Sequence, residues 1–422
     1  MRILIVNQRF WPAASGSERW LLAIARRLAA AGHSVSVATT DALDGDAASN
    51  PRARRSPERT EQHAGVRILR FPLAHLPGSP LTYAALRYSL LPWLAGTPVP
   101  QAWLSALARQ TPRAPELYDW LSTGAERFDL VLGANILFDG MAQAAAEAAR
   151  RWGVPFVFVP FTHLGAGRRP GGDPVGRHYT GRWQTAIVCG ADRVLTMTET
   201  ERAYYVEAGA PATAVHVVGA GVEADVLQPG DPDRFRAVTG ISGPIAAYLA
   251  PLHRDKGLHQ VVDALERHWP RIETLNLVAV GAPYPGGSQR LALLNARRPG
   301  QVHVFDAIDE SFKRDLLAAA DQLVMPSRTD SFGIVFLEAW AQGKPVIGST
   351  AWGMSDVITP EADGLLVRFG DIAATAEAMW RLHNDAALRE RLGVHGRDQV
   401  TARHLWDHVY ARVCAACEGL GL

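Results

Sequence analysis

Two carboxylates eight positions apart, Asp330 and Glu338, lie in the stretch Thr329-Asp330-Ser331-Phe332-Gly333-Ile334-Val335-Phe336-Leu337-Glu338. On a helix such a spacing covers about 12 Å of axis, too far to share one proton or one metal ion. Each carboxylate accepts paired hydrogen bonds, so the two suit opposite ends of a long polyhydroxyl ligand, one on a sugar and the other on the diol of a ribose. The pattern predicts a helix that begins near Gly333 and stops at Gly343. Its first turn presents N–H groups and a partial positive charge, a good seat for a phosphate. Taken on spacing alone, Asp330 as a helix cap and Glu338 as a solvated helix residue account for the same pattern.

A cation for such an anion is available. Of the 43 Lys and Arg, only Lys256, Lys313 and Lys344 are lysine. Lys256 stands before a glycine in Ala250-Pro251-Leu252-His253-Arg254-Asp255-Lys256-Gly257, where a compact ammonium is preferred to a guanidinium fork. Chance of composition is the competing account.

Side chains so far apart in the chain need a frame to bring them together. The apolar run 323–325 ends at Pro326, the helix follows, and a second apolar run covers 346–348: strand, loop, helix, strand. The same alternation predicts strands over 3–7, 34–39, 66–71, 130–132, 154–161, 191–195 and 215–218, with helices over 20–31, 141–151 and 199–207. Further strands are expected over 245–249, 275–280, 302–305 and 364–367, and further helices over 258–268, 309–319, 372–384, 386–392 and 406–419. This is the pattern of parallel α/β sheets, whose ligands sit at the carboxyl edges of the strands. Gly230-Asp231-Pro232 has the composition of a linker, and 422 residues at 48% hydrophobic content suffice for two cores.

Several classes are disfavoured. A net charge of +1 gives no bulk field for nucleic acid. No apolar run approaches the roughly 18 residues of a membrane span. Met1-Arg2 leads straight into a strand and not into a signal peptide, so a cytoplasmic protein is expected. Three cysteines form no disulfide framework. Asp44-Gly45-Asp46 could hold a metal-bound diphosphate, yet its surroundings read as a flexible polar loop followed by the basic run Arg52-Ala53-Arg54-Arg55. Residues 81–121 carry Trp and Leu broken by prolines. They suit the wall of a cleft or a lid, ordinary core packing, or a peripheral membrane contact near Leu90-Leu91-Pro92.

The stretch from Thr329 to Ile347, TDSFGIVFLEAWAQGKPVI, resembles the E-x7-E signature of family 4 glycosyltransferases, retaining enzymes of the GT-B fold that use nucleotide sugars. The resemblance covers nearly the whole chain. It implies an α/β fold of two Rossmann-like domains facing each other across a cleft: an acceptor domain at 1–228, a nucleotide-sugar domain at 229–403, and a C-terminal helix at about 404–422 crossing back onto the first. By the match, Asp330 binds the transferred sugar, Glu338 the ribose, and the amides around Phe332, Gly333, Ile334 and Val335 face sugar and phosphate. Asp330 is one methylene shorter than the family's usual Glu.

Three other segments carry the likeness. Pro12-Ala13-Ala14-Ser15-Gly16-Ser17-Glu18 is similar to the family's P-x-x-G-G-x-E donor-phosphate loop, with Gly16 matching and Ser15 at the first glycine. A plain turn with a Ser cap explains Ser17 and Glu18 equally well. His163 matches a histidine near the donor sugar; a structural histidine is the alternative. Lys256 matches the diphosphate lysine of G-R-L-x-x-x-K-G, Pro251 replaces its arginine, and Arg254 lies close enough to supply that charge. The implied activity is retaining, metal-independent transfer from a nucleoside-diphosphate sugar to a sugar, lipid-linked or small-molecule acceptor, without a further cofactor. A sugar-nucleotide epimerase or phosphorylase and a catalytically silent binding module are the alternatives.

Overall fold

All strands but one run parallel to their neighbours, as expected of apolar runs separated by helices. The computed structural model describes residues 1–13, 15–124 and 126–422, with only the backbone described at 268 and 269. Strands β1 (Arg2–Val6), β2 (Ser34–Thr40), β3 (Thr60–His63), β4 (Val66–Phe71), β5 (Leu130–Ala134), β6 (Phe156–Val159), β7 (Arg193–Thr196) and β8 (Val215–Val217) form one sheet in the order β3-β4-β2-β1-β5-β6-β7-β8. A second sheet comprises β9 (Ile245–Leu249), β10 (Asn276–Val280), β11 (Val302–Phe305), β12 (Gln322–Val324), β13 (Val346–Ser349) and β14 (Gly364–Val367), in the order β11-β10-β9-β12-β13-β14. Ile3, Leu4, Ile5 and Val6 in the first sheet, and Ile245, Ala246 and Ala247 in the second, are fully buried, which is what strands covered on both faces require.

Strand order fixes where each sheet can bind. In the first sheet the chain steps outward from β1 through β2 to β4, then returns to β5 on the other side and steps outward to β8. The second repeats this about β9 and β12. Connections leaving adjacent strands at these switch points diverge to opposite faces and open a crevice at the carboxyl ends.

The chain divides into one unit of Met1–His163, Gly171–Gly219 and Tyr410–Leu422, and another of Leu164–Pro170 and Ala220–Val409. The division at Gly219 precedes the linker-like Gly230-Asp231-Pro232. Those residues instead start the helix Pro232–Thr239, with the Asp231 carboxylate accepting from Arg234 N at 2.9 Å and Pro232 in the first turn. Caps and linkers share a composition, and here the cap wins. In the first unit Arg193 Nε donates to Ala416 O and Arg412 Nε to Val218 O, both at 2.9 Å, which ties down the C-terminal residues. In the second unit Trp352 donates from its backbone N to Gly165 O at 2.9 Å and from Nε1 to Gly167 O at 2.8 Å.

The insertion after β4 is helical and contains a π-helical stretch, Ala85–Leu90. It is anchored by one buried ion pair, Arg87 with Asp139, and Trp183 Nε1 donates to the same carboxylate at 2.7 Å. Leu81, Trp93 and Trp103 of this insertion are exposed.

Candidate active site

In the second unit, the loops leaving β9 and β12 flank the switch point, and Lys256 and Asp330 meet there. Lys256 Nζ donates to Asp330 Oδ2 at 2.8 Å and to Thr329 O at 3.2 Å. The approach depends on Gly257, whose φ is +84° and where a Cβ would lie 2.5 Å from Pro326 O. Only glycine lets the two loops come so close. Arg328 N donates to Asp255 O at 2.7 Å, a second tie between the same loops.

Asp330 caps the turn and also holds a cation. Its Oδ1 accepts from Gly333 N at 3.2 Å and more loosely from Phe332 N, while Oδ2 holds Lys256. The helix runs Ile334–Ala341, so the residues from Asp330 to Gly333 form a turn and only the second half of the eight-residue spacing is helical. Gly333 adopts φ +85°, and a Cβ there would lie 2.7 Å from the Phe336 ring. Phe332 is buried against His404, with centroids 5.6 Å apart. Its side chain is therefore taken up by packing. Ile334 and Val335 lie half-buried in the first turn.

Glu338 is not a solvated helix residue. It is buried, and its Oε1 accepts from Lys313 Nζ at 2.7 Å. Lys313 reaches across from the helix Glu310–Ala319. Arg254 is exposed and pairs with no acid among the described residues. Its charge, together with that of Arg290, adds to burial in lowering the pKa of His259.

The first unit builds its edge differently. The helix Gly16–Ala30 begins after Ser15, whose backbone is extended. Ser15 Oγ donates to Glu18 Oε2, as does Ser17 Oγ at 3.1 Å, and Arg9 Nη2 lies 3.1 Å from Glu18 Oε1. Glu18 is buried, so Ser15 serves as a partner for an internal acid where a glycine would offer none. Beside it, Asn7 and Gln8 after β1 and Thr39 in β2 are fully buried. Asn7 Oδ1, both polar atoms of the Gln8 amide and Thr39 Oγ1 meet no partner among the described residues.

His163 follows β6 and stacks on Tyr179, with centroids 4.7 Å apart and ring planes 13° from parallel. Just before it Phe161 holds φ +50°, an uncommon conformation for a non-glycine residue. Strain of this kind persists only where the surroundings enforce it. Here Glu201 does so: Oε1 accepts from Thr162 N and Oε2 from Met197 N, both at 2.7 Å, while Thr162 Oγ1 and Tyr205 OH are 2.6 Å apart. Burial lifts the Glu201 carboxyl to about 7 against the pull of those amides. Thr198-x-x-Glu201 reads in sequence as a capping box, which conceals this role.

Comparison with known proteins settles the family. The profile described as "Glycosyl transferase 4-like domain" matches residues 15–221 and that described as "Glycosyl transferases group 1" matches 232–399. A D-inositol 3-phosphate glycosyltransferase of Frankia alni is 31% identical over 277 residues, which are 60% of this chain and 67% of the relative. The chain belongs to the family 4-like glycosyltransferases. A second D-inositol 3-phosphate glycosyltransferase, of Salinispora tropica, is 28% identical over 93% of this chain and 79% of its own length. Among solved structures, a sucrose-phosphate synthase from Thermosynechococcus elongatus superposes with a TM-score of 0.72 at 22% identity, covering 98% of this chain and 97% of that one. Anabaena HepE, in complex with UDP and glucose, gives 0.69 at 18% identity, with 98% of both chains covered. At such identities the superpositions establish the GT-B fold.

Within this family the departures take on structural meaning. Ser15 is absorbed by Glu18. The shorter Asp330 is drawn onto Lys256. Pro251 is exposed, with its carbonyl accepting from Tyr248 OH at 2.9 Å. Sequence reasoning missed Lys313, Arg9, Glu201 and Tyr179. Only the rarity of lysine could have pointed to the first; the others act through partners far away in the chain.

Proposed function

We propose that the protein is a retaining, metal-independent glycosyltransferase that moves a sugar from a nucleoside-diphosphate sugar to the hydroxyl of a small polyhydroxyl acceptor. One observation carries the reading: Lys256 and Asp330 meet at 2.8 Å at the β9–β12 switch point, beside the amino end of the helix Ile334–Ala341. A diphosphate there gains an ammonium and the positive end of a helix. Asp330 then faces the sugar and Glu338 the ribose. The Anabaena HepE structures with UDP and UDP-glucose support this class of donor. The names of the inositol-phosphate relatives support a polyhydroxyl acceptor, as do the buried amides of Asn7 and Gln8.

In the reaction the acceptor oxygen bonds to the anomeric carbon from the face that the diphosphate leaves. The bond from that carbon to the diphosphate breaks, and the acceptor proton passes to the departing oxygen. Lys256 and Arg254 stabilise the charge that develops on the leaving group, the work a metal ion does elsewhere. The family match assigns His163, stacked on Tyr179, to the donor sugar. Positioning supplies the rest of the rate.

The protein should be incubated with UDP-, GDP-, ADP- and dTDP-sugars with and without inositol phosphates, in the presence of chelator. Transfer, or slow hydrolysis of one donor, is expected, with the donor's anomeric configuration kept in the product by NMR. Inverted product overturns the retaining mechanism. A nucleoside diphosphate that raises Tm without any turnover leaves only a binding module.

A further inference from the structure

Two of the chain's three lysines lie on the two acids of its most informative segment. Lys256 holds Asp330, and Lys313 holds Glu338 at 2.7 Å. Lys313 also touches Glu310, one turn back on its own helix, at 2.6 Å. Glu310 is 68% exposed, whereas the Lys313 and Glu338 side chains are 13% and 10% exposed. Solvent and salt therefore screen the Lys313–Glu338 attraction far less than the Lys313–Glu310 one.

Stability alone does not explain the choice of lysine. The habitual ion-pair partner in this chain is arginine, and it forks: Arg381 takes both oxygens of Glu361 at 2.8 and 2.9 Å, and Arg67 both oxygens of Glu126 at 2.8 and 3.0 Å. A guanidinium closes a carboxylate into a planar, two-pronged contact. An ammonium is a point donor. It steers a carboxylate through one oxygen, and an ionised carboxylate has about four accepting sites, so the group can still take a diol.

We propose that Lys313 is a positioning residue of the donor site, setting the plane of the Glu338 carboxylate against the vicinal hydroxyls of the donor ribose. It thereby makes the site select ribonucleoside over 2′-deoxyribonucleoside diphosphates. This rests on the reading of Glu338 as the ribose-gripping group. A site built to receive a hydroxyl rejects the analogue lacking it, because a buried acceptor is left unpaired. Selection of that kind requires the acceptor to be aimed, and the Lys313 ammonium, 2.7 Å from Oε1, is a contact that can aim it.

The test is calorimetric titration of the full chain with UDP, GDP and ADP, and then with the 2′-deoxy form of whichever binds tightest. The wild type is expected to prefer the ribo form about tenfold or more. Lys313→Met should weaken the ribo form about tenfold and the deoxy form little, so that the ratio falls towards one. Lys313→Arg keeps the charge and, by thermal melting, the fold, but it should not restore the ratio, since its fork competes for the oxygens the diol needs. A merely structural role predicts the opposite: arginine rescues, and the ratio never moves. Wild-type discrimination that survives in either variant overturns the role of Lys313 alone. A wild type that binds none of the three diphosphates overturns the donor reading and this inference with it. Should Lys313→Met not fold, Lys313→Arg decides the matter.

Discussion

The two sheets share a topology and differ in what they place at its switch point. At β9–β12 the edge is ionic and partly open: the Lys256 and Asp330 side chains are 22% and 20% exposed, and both belong to loops that only a glycine could bring together. At β1–β5 the edge is closed and internally neutral. Glu18 is matched by Arg9 and two serines, and Asn7, Gln8 and Thr39 offer uncharged polar atoms. On the proposed reading, the ionic edge with its helix N-terminus recognises a diphosphate, while the edge of amides and hydroxyls recognises hydroxyls without attracting a competing anion. One fold would thus yield two chemistries, and the difference lies mainly in residues that follow the strands, Thr39 of β2 being the exception.

The sharpest way to break this comparison is to remove the cation from the ionic edge. Lys256→Met should lower kcat on the best donor by about a thousandfold, near the upper end of what one electrostatic donor at a reacting oxygen supplies. If turnover stays within tenfold of wild type, the second sheet does not host the leaving group. Arg254→Met probes the same edge more gently. A loss of about a hundredfold is expected if its exposed side chain turns onto bound diphosphate. Near-normal kcat assigns Arg254 to the surface and leaves Lys256 and the helix to neutralise the charge.

The ionic edge was the more legible of the two in the sequence, for a physical reason. Its residues lie within one strand-loop-helix passage, where an apolar run, Gly333 and two acids announce themselves locally, and Lys256 stands out by rarity. The fully buried runs at β1 and β9 were equally plain, since strands covered on both faces are apolar throughout. The polar strand Thr60-Glu61-Gln62-His63 carries no such signal because it pairs on one side only, with β4. The helix Pro285–Arg297 starts with Pro-Gly-Gly, which reads as a turn. At the closed edge the decisive contacts span long loops. Glu201 reaches Thr162, in the loop after β6, from the helix Glu199–Glu207, and a local pattern assigns it instead to a cap. Buried orphan amides leave no trace in periodicity at all.

Glu201 allows the closed edge to be tested through pH. Burial raises its carboxyl from the ordinary 4.5 to about 7. Between those values the folded state carries a proton that the unfolded state has lost, so stability falls as pH rises through that window and levels off above it. Glu201→Gln removes this contribution. The wild-type Tm minus the variant Tm should therefore shrink between about pH 5 and 7, by a few degrees. Parallel curves would mean that Glu201 ionises normally and that the Thr162–His163 turn is held by other contacts. Because the turn carries His163, the same variant should shift the pH profile of kcat near neutrality while leaving the affinity for a sugar-free nucleoside diphosphate unchanged, which separates the two edges in one protein.

The smallest effect is expected at Asp44, and its smallness is the point. The Asp44-Gly45-Asp46 triplet belongs to the first unit, whereas Lys256, the proposed cation for the leaving diphosphate, belongs to the second. Asp44 Oδ1 accepts from Arg54 Nε and Nη2 at 2.9 and 2.7 Å, and Oδ2 from Arg54 N at 2.8 Å. The side-chain hydrogen bond from Arg54 lowers the Asp44 pKa, so whatever stability the pair adds is present above the ordinary carboxyl range and lost as pH falls through it. The Arg54 side chain is 79% exposed, and solvent-exposed pairs contribute little. Asp44→Asn should lower Tm by no more than about 2 °C and leave kcat within about twofold, with or without chelator. A large loss that added divalent metal relieves in the wild type and not in the variant would move the diphosphate to the first sheet and erase the distinction between the two edges.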